Sequence, residues 1–274
     1  MEDVYLSDYA RWDPKPFIIQ FGEGFGLRYY GLAYVLGFII GGWLLKVYYE
    51  KKLSPFDKNQ RQDIFLYIII GVAVGGRLGY YVFYNTRDLF HEPWTIFQIW
   101  KGGMASHGGF IGIALTIWYT ARKFKQPFWR VADLICTLAP AGLFLGRIAN
   151  FLNGELWGKQ TYFKFAVIFT NDPSTPLLPR HPSQLYEALL EGLVLLIYTQ
   201  WRIWKTDILK RAPGRLVGEF LFGYAILRIF GEHFREPDAD LIMGLSRGSF
   251  YSVILAIFAV FILWRSTSKK ALSS

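Results

Sequence analysis

Long apolar runs recur from one end of the chain to the other, and they restrict the fold more than any other feature. Runs of 18 or more predominantly apolar residues appear along the whole length, and a helix of that length crosses ~30 Å of hydrocarbon. Hydrophobic residues make up 53% of the sequence, aromatic residues 19%, and the mean hydropathy is +0.23. These values predict an all-α polytopic membrane protein rather than a soluble one.

The runs predict seven transmembrane helices within a single integral membrane domain over residues 1–274. They lie at about 28–49, 64–84, 104–121, 131–152, 181–204, 216–233 and 250–264. The loops on one side hold sixteen Lys and Arg residues, and the arm and loops on the other side hold nine. Because cytoplasmic loops carry the excess of basic residues, this distribution predicts an outside amino terminus and a cytoplasmic carboxyl terminus.

Two polar segments fall on the predicted outer side. Residues 1–27 are polar and aromatic, which predicts an arm at the membrane interface. Residues 153–182 contain four prolines, which favour turns over a long helix and predict a small extracytoplasmic cap. The net charge of +9 resides mainly in the short loops between apolar runs, so it indicates membrane orientation and no nucleic-acid partner.

The stretch from Gly146 to Gly158 stands out at the end of the fourth run. It places Arg147, Asn150, Asn153 and Glu155 within nine residues. Arginine at the middle of a membrane helix costs ~2.5–3.5 kcal/mol on insertion scales, so an intramembrane arginine is by default a functional-site hypothesis. The alternative is an arginine near a helix end whose side chain snorkels to lipid phosphates.

The predicted topology brings the unusual polar residues to one level. Arg77, Arg147 and Arg228 each fall in the outer half of a helix that runs outward. Tyr30, His107 and a cluster at 181–187 fall in the first turns of helices that run inward. Independent snorkelling would distribute such residues over both faces, so this one-sided layer predicts a site at the outer leaflet.

The side chains in this layer are suited to an anionic lipid headgroup. Tyr224, Arg228 and Glu232 stand four residues apart and share one helix face. Arg228 and Glu232 would form an ion pair there, either purely structural or with guanidinium donors left for a phosphate. His107 lies beside glycines and is a candidate general base. No metal-ligand spacing, GxSxG elbow or P-loop is present, so we expect neither a metal nor another cofactor.

These residues resemble a known family, the bacterial prolipoprotein diacylglyceryl transferases. The resemblance lies in Gly146-Arg147-x-x-Asn150-Phe151-x-Asn153-Gly154-Glu155-x-x-Gly158, Ser106-His107-Gly108-Gly109, His181-Pro182-Ser183-Gln184-Leu185-Tyr186-Glu187 and the segment from Arg228 to Asp238. It extends from Tyr30 to the last helix in the family's order. Ala149 and Lys159 depart from it, since the family commonly has Gly and Arg there.

The resemblance implies the reaction and the partners. A diacylglyceryl group would pass from phosphatidylglycerol to the lipobox cysteine of a prolipoprotein signal peptide, giving a thioether and glycerol phosphate. The enzyme would lie among membrane lipids in the bacterial cytoplasmic (inner) membrane, with its site towards the outer leaflet. A transporter or flippase for anionic lipids, and a purely structural seven-helix scaffold, are the alternatives from other functional classes.

Roles for individual residues follow as expectations. Arg147 and Arg228 would hold and polarise the phosphate, while Asn150, Asn153, Glu155 and Gly158 would bind the headgroup. Tyr30, Tyr224, Glu232 and His107 would line the reacting end. Arg77 would be a second phosphate contact or a contact at the entry side. The thiol would be activated either by His107 as base or by the field of an arginine that lowers the thiol pKa.

Overall fold

The chain folds into long helices with two small patches of β-structure, as shown by a computed structural model that describes residues 8–22, 25–98, 102–237 and 239–271. The helices are α1 (Tyr29–Glu50), α2 (Lys58–Phe83), α3 (Thr86–His91), α4 (Ser106–Lys123), α5 (Phe128–Cys136), α6 (Ala139–Leu152), α7 (Ser183–Glu187), α8 (Leu195–Lys205), α9 (Ile208–Arg211), α10 (Arg215–Glu232) and α11 (Arg247–Ala271). A π-helical segment, Ala188–Val194, connects α7 and α8, and a 3-10 helix covers Pro93–Phe97.

Four helical stretches are long and apolar enough to cross a membrane by length and composition alone. They are Tyr29–Glu50, Lys58–Phe83, Phe128–Leu152 (α5 and α6 together) and Arg247–Thr267. Helices also occupy the other three predicted positions, as α4, the continuous stretch from α7 to α8, and α10. The described structure therefore confirms a mostly helical protein with several apolar helices.

The two β-patches join distant parts of the chain. Strand β1 (Ala10–Trp12) pairs in parallel with β4 (Val167–Phe169), and β2 (Ile19–Gly22) pairs antiparallel with β3 (Phe25–Leu27). Thr170 Oγ1 donates to Asp13 Oδ1 at 2.7 Å beside the first pair. Segment 153–182 contains β4 and otherwise only turns and loops, which confirms the prediction of turns. The amino-terminal arm thus packs on this segment.

Two kinds of close contact hold neighbouring helices together. Glycines on α2 and α4 face one another, and a Cβ on Gly79 would lie 2.6 Å from the Cα of Gly108. The helices therefore approach to backbone contact, as small residues allow in membrane proteins. Asp133 of α5 is fully buried and accepts hydrogen bonds from the backbone N–H groups of Gly214 (2.7 Å) and Val217 (2.8 Å). Its carboxylate caps α10, whose first N–H groups have no partner within the helix.

Candidate active site

Two arginines from different helices share the same two carboxylates. In Arg147 of α6, Nη1 lies 3.0 Å from Oε2 of Glu187 and Nη2 lies 2.9 Å from Oε2 of Glu191. In Arg228 of α10, Nη1 lies 2.7 Å from Oε1 of Glu187 and 3.2 Å from Oε1 of Glu191. Both glutamates are fully buried, with 0% of the side chain exposed. The pair of carboxylates therefore holds the two guanidinium groups side by side.

A third arginine and a third carboxylate extend this cluster. Nη2 of Arg228 also donates to Oε1 of Glu232, one helical turn further along α10. Arg235 places Nη1 3.4 Å from Oε1 of Glu187 and Nε 4.0 Å from Oε1 of Glu232. The predicted pairing of Arg228 with Glu232 is thus observed, as one contact within a larger network. We call these six residues the Arg–Glu cluster: Arg147, Arg228, Arg235, Glu187, Glu191 and Glu232.

The local backbone explains how the two shared glutamates reach the arginines. Glu187 ends α7, and Glu191 lies within the π-helical segment that follows. Such segments are rare and frequently occur at functional sites. Gly192 brings this segment against α6, since a Cβ there would lie 2.5 Å from the Cβ of Phe144. Gly231 similarly leaves α10 beside Glu187, where a Cβ would make an ordinary contact of 3.4 Å. Both approaches keep the carboxylates between α6 and α10.

A second polar group lies beside the cluster and centres on Glu155. Its Oε1 accepts hydrogen bonds from the Tyr30 hydroxyl, from Asn153 Nδ2 at 3.1 Å and from Asn150 Nδ2 at 3.5 Å. Asn150 Nδ2 also donates to the Tyr30 hydroxyl oxygen. Arg147 is close enough to Tyr30 to interact with it electrostatically. The structure therefore brings Tyr30 together with all four polar residues of the 146–158 stretch.

The turn after α6 is fixed by contacts with α7 and with the chain after α10. Gln184 Nε2 donates to the backbone oxygen of Glu155 at 2.7 Å. Gly158 is tightly enclosed, because a Cβ there would lie 2.5 Å from the backbone oxygen of His181 and 2.7 Å from that of Phe234. The structure thus gives Gly158 a packing role, in which it permits three backbone segments to meet beside the cluster.

Arg180 links the loop at Asp172 to the turn at Gly158. Its Nε donates to Asp172 Oδ2 and its Nη1 donates to the Gly158 oxygen at 3.2 Å. Burial on its own raises the pKa of Asp172, but hydrogen bonds from Arg180 and Ser174 outweigh it and hold that pKa below its ordinary value. The Asp172 carboxylate therefore stays ionised and holds Arg180 in place at neutral pH.

Tyr224 adjoins the Arg–Glu cluster, and His107 contacts α11. Tyr224 lies one turn before Arg228 and interacts electrostatically with Glu191, Arg147 and Arg228. His107 is exposed in the first turn of α4, and its ring meets the ring of Tyr251 edge-on at 6.3 Å between centroids. Tyr251 belongs to α11, three residues after Gly248, whose backbone lies against Glu232. These contacts connect His107 to the cluster through α11.

The contacts of Arg77 differ from the predicted phosphate contact. Its guanidinium group is buried, and it donates hydrogen bonds to backbone oxygens of the loop between α3 and α4. The acceptors are Thr95 (2.7 Å), Ile96 (2.8 Å), Gln98 (2.9 Å), Gly102 and Gly103 (3.0 Å). Because a guanidinium has five N–H donors, these carbonyls occupy all of them. In this structure Arg77 anchors the loop, and the glycines around it pack α2 on α4.

A second polar cluster corrects the prediction that unusual polar residues lie at one level only. Glu219, near the start of α10, accepts from Arg202 Nε at 2.7 Å and from Arg215 Nε at 2.8 Å. The Tyr198 hydroxyl donates to the same carboxylate at 3.0 Å. Arg202 lies near the end of α8, and Arg215 and Glu219 lie near the start of α10, which are the ends of these helices remote from the Arg–Glu cluster. Glu219 and Asp133 both lie near the start of α10, so the unusual polar residues are not confined to one level.

Comparisons with known proteins identify the family. The model of the prolipoprotein diacylglyceryl transferase family matches residues 16–265. The chain belongs to this family. Relatives called phosphatidylglycerol–prolipoprotein diacylglyceryl transferase include one from Pasteurella multocida, 40% identical and covering 98% of both chains. Another from Haemophilus influenzae is 41% identical over 99% of this chain and 98% of its own length, and one from Rhizobium meliloti is 41% identical over 93% of each. The predicted resemblance is confirmed.

Several residues of this site were not predicted from the sequence. Glu187 and Arg235 appear within the quoted motifs without a role, and Glu191 and Gly248 were not singled out. The signal for Glu191 was present, because a carboxylate within an apolar run marks a function or a partner. Asp238, which closes one of the quoted motifs, lies outside the described residues.

Gly248 provides a test of the Arg–Glu cluster. A Cβ at this position would collide with Oε1 of Glu232 and would lie 3.0 Å from Nη2 of Arg228. We expect Gly248→Ala to shift both side chains and to lower the family's transfer activity about 10- to 100-fold, since small displacements at a reacting centre have effects of that size. Initial rates of the purified variant measure the loss.

Gly142→Ala on α6 is the matched control, because a Cβ there meets nothing within 4 Å. Its activity and melting temperature should remain close to those of the wild type. Equal activity of the two variants would show that the position of Glu232 does not matter to the reaction.

Proposed function

We propose that this chain transfers the diacylglyceryl group of phosphatidylglycerol to the lipobox cysteine thiol of prolipoprotein signal peptides. The observation that carries the proposal is the arrangement of Arg147 and Arg228, two guanidinium groups from different helices, the first half-buried and the second buried, held side by side. Paired arginines offer parallel N–H donors that match the oxygens of a phosphate. The names of the relatives supply the two substrates.

The reaction makes definite demands on such a site. The thiol loses its proton, and its sulfur forms a bond to the carbon of the diacylated glycerol that carries the phosphate. The bond from that carbon to the phosphate oxygen breaks. The electron pair of the broken bond stays on the phosphate oxygen, and glycerol phosphate leaves. Arg147 and Arg228 would donate hydrogen bonds to the phosphate as this charge develops, which would stabilise the transition state more than the bound donor lipid.

The group around Glu155 fits the rest of the headgroup. Carboxylate and amide groups of Glu155, Asn150 and Asn153 present acceptors and donors for the hydroxyl groups of the terminal glycerol. Tyr30 connects this group to Arg147, so headgroup and phosphate would be held in one orientation. Gly158 supports the site by allowing the surrounding backbone segments to meet.

His107 is the proposed base for the thiol. It is exposed at the end of α4 and therefore accessible to a cysteine that arrives from the membrane surface. An unperturbed thiol has a pKa of about 8.5, so a base or a nearby cation must raise its thiolate fraction. Tyr224 and Glu232 would line the same reacting end, and the field of Arg228 is the competing source of activation.

The membrane arrangement is part of the proposal. Seven spans, with an outside amino terminus and a cytoplasmic carboxyl terminus, would form one membrane domain over residues 1–274. They would place the arm (1–27), the cap (153–182) and the active site at the outer leaflet of the bacterial inner membrane. The parallel pairing of β1 with β4 supports this arrangement, because paired strands lie on the same side.

Thiol labelling tests this orientation with two exposed lysines, Lys164 in the cap and Lys210 in α9. The native Cys136 is buried and serves as an internal blank. In intact spheroplasts we expect a membrane-impermeant maleimide to label Lys164→Cys and to spare Lys210→Cys until the membrane is permeabilised. The reverse pattern would invert the proposed topology.

Arg147→Ala tests the reaction and the site together. Purified protein is mixed with phosphatidylglycerol vesicles and a peptide that contains a lipobox cysteine, and the peptide mass is measured. We expect the wild type to add one diacylglyceryl group to the cysteine, and Arg147→Ala to lose at least about 100-fold in rate, as when one transition-state donor is removed. Arg87→Ala, at an exposed arginine of α3, is the control and should retain the wild-type rate.

Normal transfer by Arg147→Ala would remove the arginines from the proposed mechanism while leaving the activity in place. Absence of transfer by the wild type, under conditions in which a relative is active, would contradict the proposed reaction.

His107→Gln separates the two accounts of thiol activation. If His107 is the base, turnover should fall by about 10²- to 10⁴-fold at every pH tested. The rate is measured from pH 5 to 9, with Tyr251→Phe as a control that keeps the ring contact. Turnover near the wild-type level at every pH would assign activation to the arginine field.

A further inference from the structure

Phosphate binding alone does not explain why the arginines of the Arg–Glu cluster are paired with carboxylates. A pocket designed only to attract an anion would leave its arginines unpaired, yet Glu187 and Glu191 contact both Arg147 and Arg228 at 2.7–3.2 Å. Counting formal charges over the cluster gives three cations and three anions. The phosphate site therefore has no surplus positive charge before the lipid arrives.

The charge of the phosphate changes during the reaction. In phosphatidylglycerol the phosphate is a diester with a single negative charge, whereas the released glycerol phosphate is a monoester. A phosphate monoester carries about −1.5 to −2 charges at pH 7, because its second pKa is about 6. A site with surplus positive charge would consequently bind the product more tightly than the donor lipid, and release of the product would limit turnover.

We propose that Glu191 is a positioning residue that limits how tightly Arg147 and Arg228 hold the phosphate monoester, and so permits glycerol phosphate to leave. The inference rests on the proposed phosphate site and adds to it the step after bond breaking. As the product departs, the Glu191 carboxylate regains the guanidinium donors that the phosphate had taken.

Glu191 is better placed for this role than Glu187. The Glu187 carboxylate also contacts Arg235 at 3.4 Å and so ties a third arginine into the cluster. Both glutamates divide their two oxygens between the two proposed phosphate ligands, and in Glu191 Oε2 contacts Arg147 and Oε1 contacts Arg228. Glu191 also lies in the π-helical segment, whereas Glu187 ends the regular helix α7.

Glu191→Gln tests the inference because it removes the charge and nearly preserves the shape. Steady-state rates give kcat and the KM for phosphatidylglycerol, and inhibition by added glycerol phosphate gives its Ki. We expect the Ki to fall about tenfold, the KM to fall by a smaller factor, and kcat to fall. A burst of lipidated peptide in the first turnover should appear, since product release becomes the slow step.

Glu219→Gln is the matched control. Glu219 is likewise a carboxylate held by two arginines, Arg202 and Arg215, but it belongs to the second polar cluster. Its substitution should leave the Ki for glycerol phosphate unchanged, whatever it does to the melting temperature.

Two outcomes would overturn the inference. One is a fall in kcat for Glu191→Gln with an unchanged or higher Ki, which indicates a structural role. If that variant does not fold, Glu191→Asp replaces it, since the shorter side chain withdraws the carboxylate from at least one arginine. The Ki should again fall, and an unchanged Ki is the second contrary outcome. Loss of activity in Arg147→Ala combined with an unchanged Ki in Glu191→Gln would reject this inference and retain the proposed site.

Discussion

Burial of arginine inside a helical membrane protein requires a counter-charge within reach, and the rest of this site depends on how that requirement is met. Removing one partner of a buried ion pair typically costs ~3–5 kcal/mol, because it leaves an uncompensated charge. Here three carboxylates each contact more than one arginine, and Glu187 and Glu191 make the positions of α6, α10 and the helix between them depend on one another. Gly248 brings α11 into the same arrangement. The ion pairs of the site therefore also determine how its helices pack.

Much of this arrangement could be predicted from the sequence, where spacing within one segment determines contacts. The four-residue interval between Arg228 and Glu232 predicts their pairing, and the close spacing of Asn150, Asn153 and Glu155 predicts their grouping. The predicted topology also puts Tyr30 at their level, but its contacts with Glu155 and Asn150 were not predicted, since Tyr30 was expected at the reacting end. Local spacing and family motifs thus locate the site.

Contacts between helices were less predictable. Whether Glu191 faces Arg147 depends on the rotation of its helix, and the π-helical segment changes that rotation without a signal in the hydrophobic pattern. The contacts of Arg77 were equally hard to predict. Its guanidinium group donates to backbone carbonyls of the loop, and every residue has a backbone carbonyl whatever its side chain. The glycines beside it were compatible with either a lipid or a neighbouring helix, and the structure places helix α4 there.

The parallel pairing of β1 with β4 has a consequence for biogenesis. Asp13 and Thr170, which form a hydrogen bond beside this pair, are 157 residues apart in the chain. During synthesis the amino-terminal arm emerges first, but its partner strand does not exist until α6 has been made. The arm must therefore remain unpaired while several helices enter the membrane. Pairing of the arm with β4 is therefore a late step of assembly. It requires that the segment following α6 has reached the same side of the membrane as the arm.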